Sequence, residues 1–270
     1  MSNKAGQNFG EYLAENIERL GAYDGKDEIV SLPEMAKIVE TQKKLTTIKS
    51  GIPSFDKLVK GFCSGEVIAV SGPRKAGKTL WAQSLTDRFS KDGVKSLWFS
   101  YEVTPGQLIE RFPELPDNAY TPKTMEAYSL EWLKERVIEA MIKEGISVVF
   151  IDHLHYLLDL ARASNVSIEL GQVIRFIKRM AVELNLIIFV MCHMKKLDPY
   201  TEPNDVDVRD SSFISQESDM GVVIWRDIET DDQACLKICY DRRSGVLNKK
   251  ISMIKVDGLL QECACDGIIT

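Results

Sequence analysis

The sequence predicts an α/β fold in which helices wind about a mostly parallel central sheet. Antiparallel strands are expected at the sheet edge near the C-terminus, with a short helical extension at the N-terminus. Three observations carry this. From about residue 50, strand-like and helix-like segments alternate, the order that builds wound α/β cores. The runs at 146–151 and 186–192 are apolar at nearly every position, the pattern of parallel strands buried on both faces. After about residue 219 the helical patterns stop, and "MGVVIWRD", "ACLKICYDR" and "KKISMIKVD" follow across short turns, including Ser244-Gly245 and Asp257-Gly258. Such spacing suits antiparallel pairing.

Taken in order, residues 1–48 form the helical extension and 49–270 the main domain. In the extension, Tyr12, Leu13, Ile17 and Leu20 line one face of a first helical pattern, and "GAYDGKDE" ends it. The second, "SLPEMAKIVETQKK", has Ser31 and Glu34 at capping-box spacing, Pro33 in the opening turn, and a narrow stripe of Met35, Ile38 and Val39. Helices this small have little core of their own, so they must dock on this chain's own domain or on a neighbouring subunit. In the main domain, "EVIAVSG" leads to a helix and "SLWFSYE" follows. A helix at about 129–143 then precedes "ISVVFID", and one at about 167–184 precedes "LIIFVMCH".

Composition narrows the class. The chain is 44% hydrophobic and 27% charged, and no apolar run reaches the ~18 residues of a membrane span, so no membrane role is expected. An acidic start (Glu11, Glu15, Glu18, Asp24, Asp27, Glu28) argues against a secretory or transit leader. The protein is expected to stay where it is made, in the cytoplasm. Six scattered cysteines without C-x-x-C spacing read as buried reduced thiols. A net charge of −6 gives no global basic field, so any grip on DNA must be local.

In "VIAVSGPRKAGKTLWAQSL" a strand-like run enters the turn Gly72, Pro73, Arg74, Lys75, Ala76, Gly77, Lys78 and Thr79, and a helix leaves it at Leu80. This is the P-loop pattern G-x-x-x-x-G-K-[ST] in its strand–turn–helix setting. Backbone N–H groups of such a turn and the positive end of the helix bind phosphate oxygens. Lys78 is expected on the β and γ phosphates and Thr79 on Mg²⁺, with ATP or another NTP as the ligand of residues 72–80. Asp152, at the carboxyl end of "GISVVFID", should face the same crevice, where it is either the carboxylate near the metal, acting through a bridging water, or a strand-ending aspartate that caps a turn. Glu102, closing "SLWFSYE", is either the base for the attacking water or a surface glutamate. His193, ending "LIIFVMCH", is either a γ-phosphate contact or a polar cap. His153 and His155 follow Asp152 at alternate positions, but no carboxylate set converges on the histidines in the sequence, so no histidine metal site is expected. Arg242 and Arg243, in "YDRRSG", are either solvated surface or a source of an arginine finger reaching a neighbouring active site.

From "GIPSFDKLVKGFCSGEVIAVSGPRKAGKT" through "LWFSYEVTPGQLIERF", "VVFIDHLHYLLD" and "AVELNLIIFVMCHMKK" to "VRDSSFISQESDMGVVIW" and "DRRSG", the chain resembles the RecA-fold motor domain of DnaB-type replicative ring helicases. The likeness covers roughly residues 48–260. It is nearest the phage primase-helicase and Twinkle branch, where a histidine, as at His193, replaces the glutamine of bacterial DnaB. The resemblance implies a RecA-like P-loop core with Glu102 as catalytic base, Asp152 as Walker B acid and His193 as γ-phosphate sensor. It makes either Arg242 or Arg243 the trans finger, and puts Arg209 and Gln216 in the segment coupling nucleotide to DNA. The DNA-binding loop falls on "KKLDPYTEPNDVDVRD", with Lys195 and Lys196 as its cations. The implied partners are single-stranded DNA, further copies in a hexameric ring, and a separate primase or loader.

Three departures stand beside this. The sequence is expected to carry no primase or helicase N-terminal domain ahead of the motor, which leaves residues 1–48 to latch alone onto the next subunit. Asp241 stands where DnaB has a lysine ahead of its finger. The loop segment also carries Asp198, Glu202, Asp205, Asp207 and Asp210, which weakens the expected hold on DNA. The leading reading is an ATP-dependent helicase that translocates on single-stranded DNA during replication. The alternatives are a recombinase or mediator of the RecA and RadA type, and a nucleotide-gated loader or scaffold with slow turnover.

Overall fold

The computed structural model describes residues 9–41, 45–125, 129–158, 166–195, 201–208, 211–226, 233–263 and 268–269. The chain divides into two compact units, residues 1–44 and 45–270.

The first unit holds α1 (Phe9–Gly21) and α2 (Leu32–Thr41). Ser31 and Glu34 form the expected cap: Glu34 Oε2 accepts from Ser31 N at 2.9 Å and from Ser31 Oγ at 2.6 Å, while Glu34 N donates to Ser31 Oγ. These bonds hold the Glu34 carboxyl below its ordinary range. Neither helix buries a residue, and Phe9, Leu13, Ile17, Leu20, Ile38 and Val39 are exposed.

The second unit begins with β1 (Thr47–Ile48), α3 (Pro53–Val59) and β2 (Phe62–Cys63), β1 pairing antiparallel with β2. Next come β3 (Val67–Ser71), α4 (Lys78–Lys91), β4 (Ser96–Ser100), α5 (Pro105–Glu110), β5 (Ala119–Tyr120) and α6 (Leu130–Glu144). They are followed by β6 (Val148–Asp152), α7 (Val166–Leu184), β7 (Ile187–Met191), α8 (Ser211–Glu217) and β8 (Met220–Arg226). The chain closes with β9 (Gln233–Asp241), β10 (Leu247–Val256), β11 (Leu259–Glu262) and β12 (Ile268–Ile269).

Among the described residues, ten strands make one sheet in the order β11-β10-β9-β8-β3-β7-β6-β4-β5, with β12 also on β10. Pairing is parallel from β8 through β5 and antiparallel from β8 to β11, as the hydrophobic patterns predict. Every residue of β3, β4, β6 and β7 is buried, because helices cover both faces.

One face carries an aromatic cluster in which Phe62 and Phe150 each approach Phe189 to 4.8 Å between ring centroids. Such pairs contribute about 0.5–1.5 kcal/mol each beyond the area they bury. The other face packs α6 and α7 through Leu133, Val137, Ile174 and Ile177. This two-sided packing fixes the parallel strands, and their carboxyl ends open together on one rim.

Candidate active site

On that rim lies a cleft of about 1130 Å³, lined by the P-loop, Glu102, His153, His193 and Arg226 among others. The P-loop is shaped by its glycines. Gly72 has φ 154°, and a Cβ there would meet the Ile224 carbonyl oxygen at 2.1 Å. Gly77, at φ 102°, caps α4 with no side-chain bond, which leaves the first-turn N–H groups of that helix for an anion. Lys78 is buried, and its Nζ donates to the Gly72 and Pro73 carbonyls at 2.9 and 3.0 Å. Burial lowers its pKa, opposed by the charges of Asp152 and Glu102. Arg74 and Lys75 lie toward the loop tip, Ala76 is buried beneath it, and Leu80 packs on the core.

Thr79 Oγ1 donates to Asp152 Oδ2 at 2.9 Å. Asp152 is fully buried, and among the described residues its Oδ1 has no hydrogen-bond partner. Burial raises its pKa, partly offset by His153 and Thr79. A hydroxyl beside a carboxylate with an unused buried oxygen fits a Mg²⁺ ion held by Thr79 and Asp152. Glu102 lies just beyond β4, and the Thr104–Gln107 capping box fixes the start of α5 immediately after it. His193 lies just beyond β7, and burial lowers its pKa to about 4, so the imidazole is neutral at neutral pH.

Two carboxylates approach one of the three histidines, a convergence the sequence does not display. His153 Nε2 lies 3.0 Å from Glu102 Oε2, its Nδ1 lies 3.6 Å from Asp152 Oδ1, and its ring packs on His193 with centroids 3.7 Å apart. Glu102, Asp152 and His153 form a cluster of potential ligand atoms. The cause is register: β4 and β6 pair Ser100 with Asp152, so the residues just past each strand end meet. Sequence gives the strand ends but not which strands are neighbours.

Arg242 and Arg243 sit on the β9–β10 turn and are not among the residues lining the cleft. Arg243 is committed inside the chain. Its Nε donates to Glu66 Oε1 at 2.6 Å and its Nη2 to the Val59 carbonyl at 2.9 Å and to the Gly61 carbonyl. Arg242 is exposed and, among the described residues, its guanidinium bonds main-chain carbonyls of α8, those of Ser215 and Gln216. Asp241 is buried and accepts from Ser244 N at 3.1 Å and from Ser244 Oγ, so it shapes the turn rather than presenting charge outward.

The model of the DnaB-like helicase C terminal domain matches residues 118–255, just over half of the chain. The chain belongs to this DnaB-like family. The replicative DNA helicase DnaB of Haemophilus influenzae is 22% identical over 267 residues, covering 83% of this chain and 57% of the relative. A probable replicative DNA helicase of Trieres chinensis is 22% identical over 250 residues, with 80% and 55% covered. The chain thus spans about half the length of the curated relatives it matches. Among solved structures, a DnaB-like replicative helicase studied with primase aligns with TM-score 0.71 at 16% identity, covering 94% of this chain and 71% of that one. A second solved structure, an isolated ATPase domain, also aligns with TM-score 0.71 at 16% identity, covering 86% and 96%. The fold is the RecA-like one of DnaB-type motor domains.

In this DnaB-like chain the DNA-side candidates are only partly in view. Lys195 is exposed, with its N–H bonded to the Asp207 carbonyl at 2.9 Å, and Gln216 is exposed on α8. Lys196 and Arg209 lie outside the described residues. One of the acidic residues counted against DNA binding is already neutralised: Glu202 accepts from Lys237 at 2.9 Å and Lys250 at 2.6 Å. These bonds, that of Lys250 foremost, lower its pKa.

Proposed function

We propose that this DnaB-like chain is an ATP-dependent DNA helicase motor that hydrolyses Mg-ATP at the subunit interfaces of a ring, translocates on single-stranded DNA and unwinds duplex during replication. The observation that carries the reading is the convergence of Lys78, Thr79, Asp152, Glu102 and His193 on one cleft, while the exposed Arg242 lies elsewhere on the chain.

Lys78 and the first-turn N–H groups of α4 bind the phosphates, and Thr79 and Asp152 hold Mg²⁺. When bound, that ion offsets charge on the transferring phosphoryl group. Glu102 takes the proton of the attacking water. His193, neutral, hydrogen-bonds the γ-phosphate. Arg242 reaches the cleft of the next subunit as the finger; Arg243 is held by Glu66 and two carbonyls, so we assign it to structure. The exposed apolar faces of α1 and α2 suit docking on a neighbouring subunit, with six subunits closing the ring. Lys195 and Lys196 on the pore loop, with Arg209 and Gln216 behind them, contact and couple to the strand. A primase or loader is supplied by a separate protein, and the setting is cytoplasmic. What supports reading the chain within the phage primase-helicase and Twinkle branch is the histidine at 193.

The test is strand separation on a forked duplex with Mg-ATP. The wild-type protein is expected to unwind it and Lys78→Ala to fail. Hydrolysis without any strand separation would contradict the helicase reading and favour a recombinase-like or loader role.

A further inference from the structure

Glu102 stands beyond the end of β4 in a stretch without helix or strand, and its side chain is 43% exposed. A general base acts only within hydrogen-bond reach of the proton it takes, and a long exposed carboxylate spreads over many rotamers unless something holds it. His153 is its opposite: the side chain is 2% exposed and the ring is fixed against His193 at 3.7 Å between centroids. A carboxylate oxygen 3.0 Å from Nε2 needs a donor there. Nδ1, by contrast, lies 3.6 Å from Asp152 Oδ1, beyond hydrogen-bond reach, and has no hydrogen-bond partner among the described residues, so the proton belongs on Nε2.

We propose that His153 is a positioning residue: its Nε2–H donates to Glu102 Oε2 and aims that carboxylate into the cleft, and its packed ring ties the base to His193. One carboxylate oxygen is engaged by the ring, leaving the other to take a proton from water. A shift of His193 against the γ-phosphate then reaches Glu102 through one buried ring. The inference rests on reading Glu102 as the general base.

The test compares full-length His153→Ala and His153→Gln, each alone and combined with Glu102→Gln, in steady-state and single-turnover ATP hydrolysis. Nucleotide affinity is followed with a fluorescent ATP analogue. His153→Ala is expected to lower kcat by roughly 10- to 100-fold, the scale of a misaligned catalytic group, with KM and nucleotide affinity within about two-fold. His153→Gln, whose amide can donate across the same gap, recovers most of that loss. In the Glu102→Gln background, His153→Ala changes the residual rate by less than about two-fold, as expected of coupled residues. If alanine fails to fold, His153→Leu against His153→Gln makes the same comparison of bulk without and with a donor. Equal losses in both backgrounds, a parallel fall in nucleotide affinity, or an unchanged kcat would overturn the inference while leaving the base assignment intact. Wild-type turnover in Glu102→Gln alone would overturn both.

Discussion

At the carboxyl ends of β3, β4, β6 and β7, side chains from four stretches of sequence meet around one cleft. At the β9–β10 turn, two exposed arginines adjacent in sequence part company: Arg243 is tied to the Glu66 carboxylate and to the carbonyls of Val59 and Gly61, while Arg242 bonds main-chain carbonyls of α8 and, among the described residues, no carboxylate. In a parallel sheet every strand ends on the same rim, so distance along the chain does not matter there. On an antiparallel turn, each side chain goes where its neighbours in space allow. Chemistry within a subunit is therefore gathered by the sheet, whereas what a turn can offer to another copy depends on how its side chains are held: Arg243 by a carboxylate and two carbonyls, Arg242 by carbonyls alone.

The largest expected effect separates the arginines. Arg242→Ala should lower turnover by about 10³-fold, the scale of a lost arginine finger, with nucleotide affinity unchanged. Mixing it with Lys78→Ala subunits should restore part of the activity, because some interfaces then pair an intact P-loop with an intact Arg242. Arg243→Ala should act on stability instead. It leaves the nearly buried Glu66 carboxylate without its cation, a loss of about 2 kcal/mol for charged hydrogen bonds. That corresponds to roughly 4–8 °C in Tm for a domain of this size, and turnover should stay within a few-fold. Thermal melts and hydrolysis rates of both variants decide the matter; the reverse pattern would exchange the two roles.

The smallest effect concerns pH. His193 titrates near 4 in the folded chain, against 6.5 for the free side chain. Between those values the unfolded chain binds more protons, so stability rises with pH through that window. This contribution is fully present above about 6.5 and is lost as pH falls toward 4. Wild-type Tm should therefore drop more between pH 7 and pH 5 than that of His193→Gln. Identical slopes would mean that the imidazole is not held neutral by burial.

Much of the cleft was legible because its signals are local. The P-loop spacing and the apolar runs before Asp152 and His193 each lie within one stretch of chain, and the same holds, away from the cleft, for the cap of Ser31 with Glu34 on α2. What was not legible depends on strand order and long-range contact. Glu102 meets His153 only because β4 lies beside β6, and no periodicity encodes that adjacency. Arg243 finds Glu66 from 177 positions away, so the sequence left the finger open between two candidates. Glu202 counted as a repulsive charge in the loop until its bonds to Lys237 and Lys250 were seen; a formal charge count does not register pairing.

The central claim, that this cleft drives a motor on DNA, is met most directly by steady-state ATP hydrolysis with and without single-stranded DNA, using Lys78→Ala as the blank. Strong stimulation by DNA in the wild type, absent from the blank, is the predicted result. A rate that exceeds the blank yet ignores DNA would contradict it and leave an ATPase whose turnover serves assembly rather than movement.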